Sequence, residues 1–174
     1  DSIDICENML LSHGDYNNMF INLIDTLCNS IWIKQIYSEI DIQSQETKVD
    51  NDDNIVITGS FLKNLIIEND TLIANSNKRE TFLIKLSSSG SLIWMQNFEV
   101  SDTLLNTYYP NIAIESTDNI ILQGIISGDA SFGIYDVESL SPFDMVLARF
   151  SPDGNCLGVD NFGPISRGYH MNVS

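Results

Sequence analysis

Asp53-Asn54-Ile55-Val56-Ile57-Thr58-Gly59-Ser60-Phe61 opens a pattern that ends in Thr81-Phe82-Leu83-Ile84-Lys85-Leu86-Ser87-Ser88-Ser89-Gly90-Ser91-Leu92-Ile93-Trp94. A polar turn feeds a β-branched run. A second run then puts Phe82, Ile84 and Leu86 on one face by two-residue alternation. Ser87-Ser88-Ser89-Gly90 makes a turn in which the glycine supplies the positive φ that such hairpins need. These runs are short strands joined by tight turns.

Outward from that stretch the same order returns. Asp118-Asn119-Ile120-Ile121-Leu122-Gln123-Gly124 stands 65 residues after Asp53 to Gly59. Trp32 stands 62 residues before Trp94, and Asn97-Phe98 recurs 64 residues later as Asn161-Phe162. Self-similarity at a fixed period marks one supersecondary unit stacked on copies of itself. The 174 residues form a single domain, with units at roughly 8–40, 45–100 and 110–163.

The middle unit predicts strands at 45–50, 55–61, 81–86 and 91–98, with a variable segment over 62–79. The third predicts strands at 111–115, 119–126, 144–150 and 155–162, with a loop through Ser141-Pro142. In the first, Asn8 to His13 takes the place of the Asp-Asn-Ile strand, and the variable loop shrinks to 14–18. Strands at 20–24 and 31–36 follow, with Cys28 at the turn position of Gly90. Phe20, Leu23, Ile24, Leu27 and Ile31 also fit a helical stripe, but the repeat overrides it. Residues 169–174 align with 110–115, so a closing strand is expected there to complete the first unit, in the same chain or in a partner, and hide sheet edges.

Hydrophobic residues make up 43% of the chain, ample for a core and too many for a disordered one. The net charge of −16 argues against nucleic-acid phosphates and anionic membrane surfaces as partners. No run approaches the roughly 18 apolar residues that cross a bilayer. Cys6, Cys28 and Cys156 have neither zinc-site spacing nor an even count for a disulfide framework.

The quoted stretches resemble the repeat of the bacterial seven-bladed β-propeller repeat family. Asp53 to Phe61, Thr81 to Trp94 and Gln96-Asn97-Phe98 carry the likeness. The third unit carries it again over Asp144 to Asn155, with Arg149 in place of Lys85 and Gly158 in place of Trp94. The resemblance implies an all-β propeller with about three four-stranded blades of about 62–65 residues. It also implies an extracellular or surface location and no catalysis. Three blades are fewer than the four to eight that usually close a ring, so other copies of the chain or further blades are expected as partners.

Few side chains suggest chemistry. Asp50, Asp52 and Asn54 place oxygen ligands at alternate positions, as a calcium loop does, but Ile55 and Phe61 stand where an EF-hand needs Gly and Glu. An Asx-rich turn explains the same residues. Tyr108 and Tyr109 are candidate ligand-binding aromatics, while Trp32 and Trp94, at matching strand positions, read as core. His13 and His170 form no metal-binding pair in sequence, and Asn69 and Asn172 begin glycosylation sequons. No catalytic constellation and no cofactor motif stands out. The expected function is a structural or protein-interaction module on a cell surface or in an extracellular or virion assembly. A lectin-like propeller binding glycans is the alternative, and a hydrolase or lyase on the same scaffold a further one.

Overall fold

The computed structural model describes residues 2–5, 8–11, 18–74, 78–100 and 108–164; side chains are described for all of these except 2–5, 8–11, 100, 108 and 109. The described residues are all-β, without a helix. Sixteen strands run β1 (Ser2–Ile5), β2 (Asn8–Leu11), β3 (Asn18–Ile24), β4 (Ser30–Tyr37), β5 (Asp41–Val49), β6 (Ile55–Leu62), β7 (Asn64–Ile67) and β8 (Asp70–Ile73). They continue as β9 (Arg79–Leu86), β10 (Leu92–Val100), β11 (Tyr108–Ile114), β12 (Ile120–Ile126), β13 (Ala130–Phe132), β14 (Tyr135–Val137), β15 (Asp144–Phe150) and β16 (Cys156–Pro164). The region that also read as a helical stripe is β3, a turn and β4.

The strands form antiparallel sheets with the orders β3-β4-β7-β8, β14-β13-β10-β9-β6-β5 and β11-β12-β15-β16, and β1 pairs with β2. β5-β6-β9-β10 and β11-β12-β15-β16 are the four-strand meanders expected for units two and three. The variable segments, read as loops, instead carry the hairpins β7–β8 and β13–β14. Each hairpin crosses to the preceding unit: β7 pairs with β4 through Ile36 and Tyr37, and β13 pairs with β10 through Glu99 and Val100. The middle sheet is therefore six-stranded rather than four-stranded.

The first unit needs correction. β1–β2 has the register Ser2↔Leu11 to Ile5↔Asn8, and β7–β8 has Asn64↔Ile73 to Ile67↔Asp70, the same pairing 62 residues on. Asn8–Leu11 is thus the second arm of a hairpin equivalent to β7–β8, not the counterpart of the Asp-Asn-Ile strand. In unit one, the described residues hold this hairpin, β3 and β4. The closing strand expected at 169–174 lies outside the described residues.

Two apolar cores lie at the seams between units. Ile36 and partly buried Met19, Ile21 and Trp32 from unit one meet Ile57, Phe82, Ile84 and Leu86 from unit two. Val56, Leu83 and Phe98 from unit two meet Ile112, Ile120, Leu122, Val146, Ala148 and Phe150 from unit three. The middle sheet is apolar on both faces because each face has a neighbouring unit to bury it, as in stacked repeats.

Candidate functional site: the seams and the open end faces

Five hairpin turns share one backbone design. In the turns beginning at Asp25, Asp50, Ser87, Glu115 and Ser151, the first residue's N–H donates to the fifth residue's carbonyl and the fourth's N–H donates back to the first. The fourth residue has positive φ: Cys28, Asp53, Gly90, Asp118 and Gly154. This is a type I turn followed by a left-handed residue, a common hairpin connection.

The design explains the oxygens proposed for calcium. Asp50 Oδ1 accepts the N–H groups of Asp52 (3.0 Å) and Asn54 (2.8 Å), and Oδ2 accepts Asn54 Nδ2 (3.0 Å). Asp50 Oδ2 is also 2.8 Å from Lys85 Nζ, and both side chains are almost wholly buried. Burial pushes the Asp50 carboxyl up, but the Lys85 ammonium and the Asn54 donors outweigh it and hold the group below its ordinary range. Asp50 and Asn54 thus come together to build the turn, while Asp52 is exposed beside them. Among the described residues no group of three His, Cys, Asp or Glu side chains is placed to hold a metal ion.

The two tryptophans lock units together. Trp32 Nε1 donates to the Ser88 carbonyl at 2.9 Å, and Trp94 Nε1 to the Pro152 carbonyl at 3.0 Å. Each indole covers the glycine of the next unit's turn. A Cβ on Gly90 would sit 2.9 Å from Trp32, and one on Gly154 3.0 Å from Trp94. Lys85 Nζ and Gln96 Nε2 also cross the second seam, to the carbonyls of Pro152 and Gly154 at 3.1 Å each. Glu46 accepts the N–H of Ile112 at 2.8 Å. Sequence reading placed the tryptophans in the core; they are partly buried and span the seams.

The repeated Asn-Phe pair has a divided role. Asn161 Nδ2 donates to the Glu138 carbonyl (2.9 Å) and to Asp144 (3.2 Å); Asn97 Nδ2 donates to the Ile73 carbonyl (3.3 Å) and to Glu80. The asparagine thus ties the crossing hairpin's exit to its own unit. In unit one, Gln35 donates to Asn18 at the same positions, at 3.0 Å. Asp144, fully buried, also accepts from Ser141 and from the Leu140 N–H. Burial raises its carboxyl, and the Ser141, Leu140 and Asn161 donors bring it below its usual range. The phenylalanine crosses the seam: the Phe98 ring centroid lies 5.2 Å from both Phe132 and Phe150.

The outer faces of units one and three repeat these positions without cover. Phe98 is 2% exposed and its counterpart Phe162 is 56% exposed. Phe82 is fully buried and its counterpart Phe20 is 47% exposed. On unit three, Ile121, Leu147, Arg149, Gly158 and Asp160 line a cleft of about 310 Å³. Gly158 stands where Trp94 stands, with nothing near its missing Cβ. A second cleft, about 390 Å³, is acidic and hydroxylic, lined by Glu99, Asp129, Ser131, Asp136 and Glu138.

Tyr108 and Tyr109 begin β11, but their side chains lie outside the described residues, as do His13 and His170. Sequence reading missed the Lys85–Asp50 pair, although its signal was present. The base at 85 recurs at Arg149 and the acid at 50 recurs at Glu115, and these also pair, at 2.5 Å. Neither a protein-family model nor a curated protein matches this chain.

Proposed function

We propose that the chain is a non-catalytic β-propeller repeat module whose work is structural or protein-binding, on a cell surface or in an extracellular or particle assembly. The observation that carries the reading is the seam used twice. A tryptophan of one unit caps the turn glycine of the next, and a hairpin of the next unit crosses back to extend the sheet of the first. Sheets joined face to face in this way suit a radial array, which leaves only short, protected edges. An experimentally determined structure of the assembled protein tests this. Three sheets radiating from a common axis are expected, and sheets stacked without one would overturn it. Protease accessibility of the chain on intact source cells or particles tests the location.

One observation favours a lectin-like reading second. The acidic cleft offers carboxylates and a hydroxyl of the kind that hold sugar hydroxyls, with Ser131 Oγ already donating to Asp136 at 2.9 Å. A glycan array probed with calcium present tests it; binding that disappears in Asp136→Ala is the expected result, and an empty array removes it.

A further inference from the structure

The described residues carry both halves of a third seam and leave both uncovered. The outer face of unit three offers Phe162, Leu147 and Ile121, whose counterparts Phe98, Leu83 and Val56 are buried in the seam between units two and three. The outer face of unit one offers Phe20 and Ile24, whose counterparts Phe82 and Leu86 are fully buried in the seam between units one and two. The hairpin β1–β2 has the register of β7–β8, yet among the described residues its strands pair only with each other, and β16 is an edge strand with no crossing hairpin.

We infer that the outer face of unit three binds the outer face of unit one of a second copy of this chain, head to tail. The second copy's β1–β2 hairpin then lies along β16. The inference rests on the reading of the units as stacked repeats. The fit is supported by a reversal of size at the lock. Inside the chain a tryptophan meets a glycine; at the ends Gly158 replaces the tryptophan and Cys28 replaces the glycine. A turn residue with a side chain thus meets a strand residue without one. Gly163 gives its N–H to Asn161 Oδ1 (2.8 Å) and Pro164 has none, so the ladder along β16 is short. The internal hairpins likewise add only two residue pairs each. Because each copy carries a charge of −16, association strengthens as salt screens the repulsion.

Light scattering coupled to size exclusion, on the chain at high concentration and in moderate salt, tests this. Twice the 19.5 kDa chain mass is expected. Phe20→Asp and Leu147→Asp, each checked for retained strand content by circular dichroism, should each run at the single-chain mass. An equimolar mixture of the two should regain the double mass, because one intact head then meets one intact tail. Gly158→Trp should lose the double mass, and Gly158→Trp with Cys28→Gly should recover it by restoring the internal lock. A single-chain mass for the unaltered protein overturns the inference while leaving the three stacked units untouched, and so does association that survives Leu147→Asp. A ladder of higher masses keeps the docking surface and removes closure at two copies. Sheets without a common axis would instead overturn the underlying reading.

Discussion

The same ion pair occurs twice in this molecule, in two environments. In unit two, Lys85 and Asp50 meet at 2.8 Å with side-chain exposures of 5% and 1%; in unit three, Arg149 and Glu115 meet at 2.5 Å with exposures of 48% and 28%. Both pairs join the turn before a second strand to the strand that flanks it. The difference comes from what lies on top. Unit three covers Lys85 and lends it the Pro152 carbonyl, whereas nothing among the described residues covers Arg149. The seam therefore changes the value of a contact more than its geometry does. Removing one partner of a buried pair strands a charge in a poor solvent, while an exposed pair is relaxed by water.

The sharpest way to break this comparison is through the phenylalanines. Phe98→Ala removes a ring held between Phe132 and Phe150 and should cost about 3–5 kcal/mol. Phe162→Ala, in the chain dilute enough to be single, should change stability by about 0.5 kcal/mol or less. Denaturant midpoints at unchanged slope measure both; equal losses would mean that the seams do not govern burial. The ion pairs come next. Lys85→Met should cost about 3–5 kcal/mol and Arg149→Met under about 1 kcal/mol, by the same measurement.

Glycine supplies a third matched pair. Gly59 and Gly124 occupy one position in successive units. A Cβ at Gly59 would fall 2.1 Å from the Gln43 carbonyl oxygen and 2.7 Å from Phe82, whereas at Gly124 the nearest contact is Val146 at 3.9 Å. Gly59→Ala should therefore cost about 1–3 kcal/mol by forcing β5 and β6 apart, with Gly124→Ala close to neutral. A thermal melt in which the two variants coincide would place the tight approach elsewhere.

These contrasts also show what could be read without coordinates. Asp144–Phe150 was legible to the residue, because alternation and a flanking turn are local signals. Cys28 at a glycine turn position was legible from the repeat, and its φ of 65° shows the backbone keeping the turn without the glycine. The hairpins β7–β8 and β13–β14 were not legible. Their arms are three or four residues long and their outer partners belong to another unit, so no local pattern announces them. The first unit was misread for the same reason. Once the hairpin is known, the constant step of 62 from Ser2–Leu11 to Asn64–Ile73 is visible in the sequence. Of the site, Asp50 was noticed for its oxygens, but its partner lies 35 residues on. Charge at both ends becomes meaningful only once the strands pair β6 with β9.

The smallest expected effect is also the one that separates the two carboxylates by chemistry alone. Asp50 and Glu115 both titrate below their ordinary values of 3.8 and 4.5. Asp50 does so against burial, through Lys85 and Asn54; Glu115 does so first through Arg149 and then Asn119. A carboxyl whose folded pKa is depressed contributes stability that is complete above its unfolded value and is lost as pH falls through the folded one. Stability should thus be level above about pH 5 and decline through pH 4 and below. Asp50→Asn lowers stability at neutral pH by leaving Lys85 unpaired, and should flatten the acid limb. Glu115→Gln should leave most of that limb in place, because water already solvates its carboxylate. Denaturation midpoints collected from pH 3 to 7 for the three proteins measure the slopes. An acid limb that flattens more in Glu115→Gln would put the coupled proton on the open face rather than in the seam.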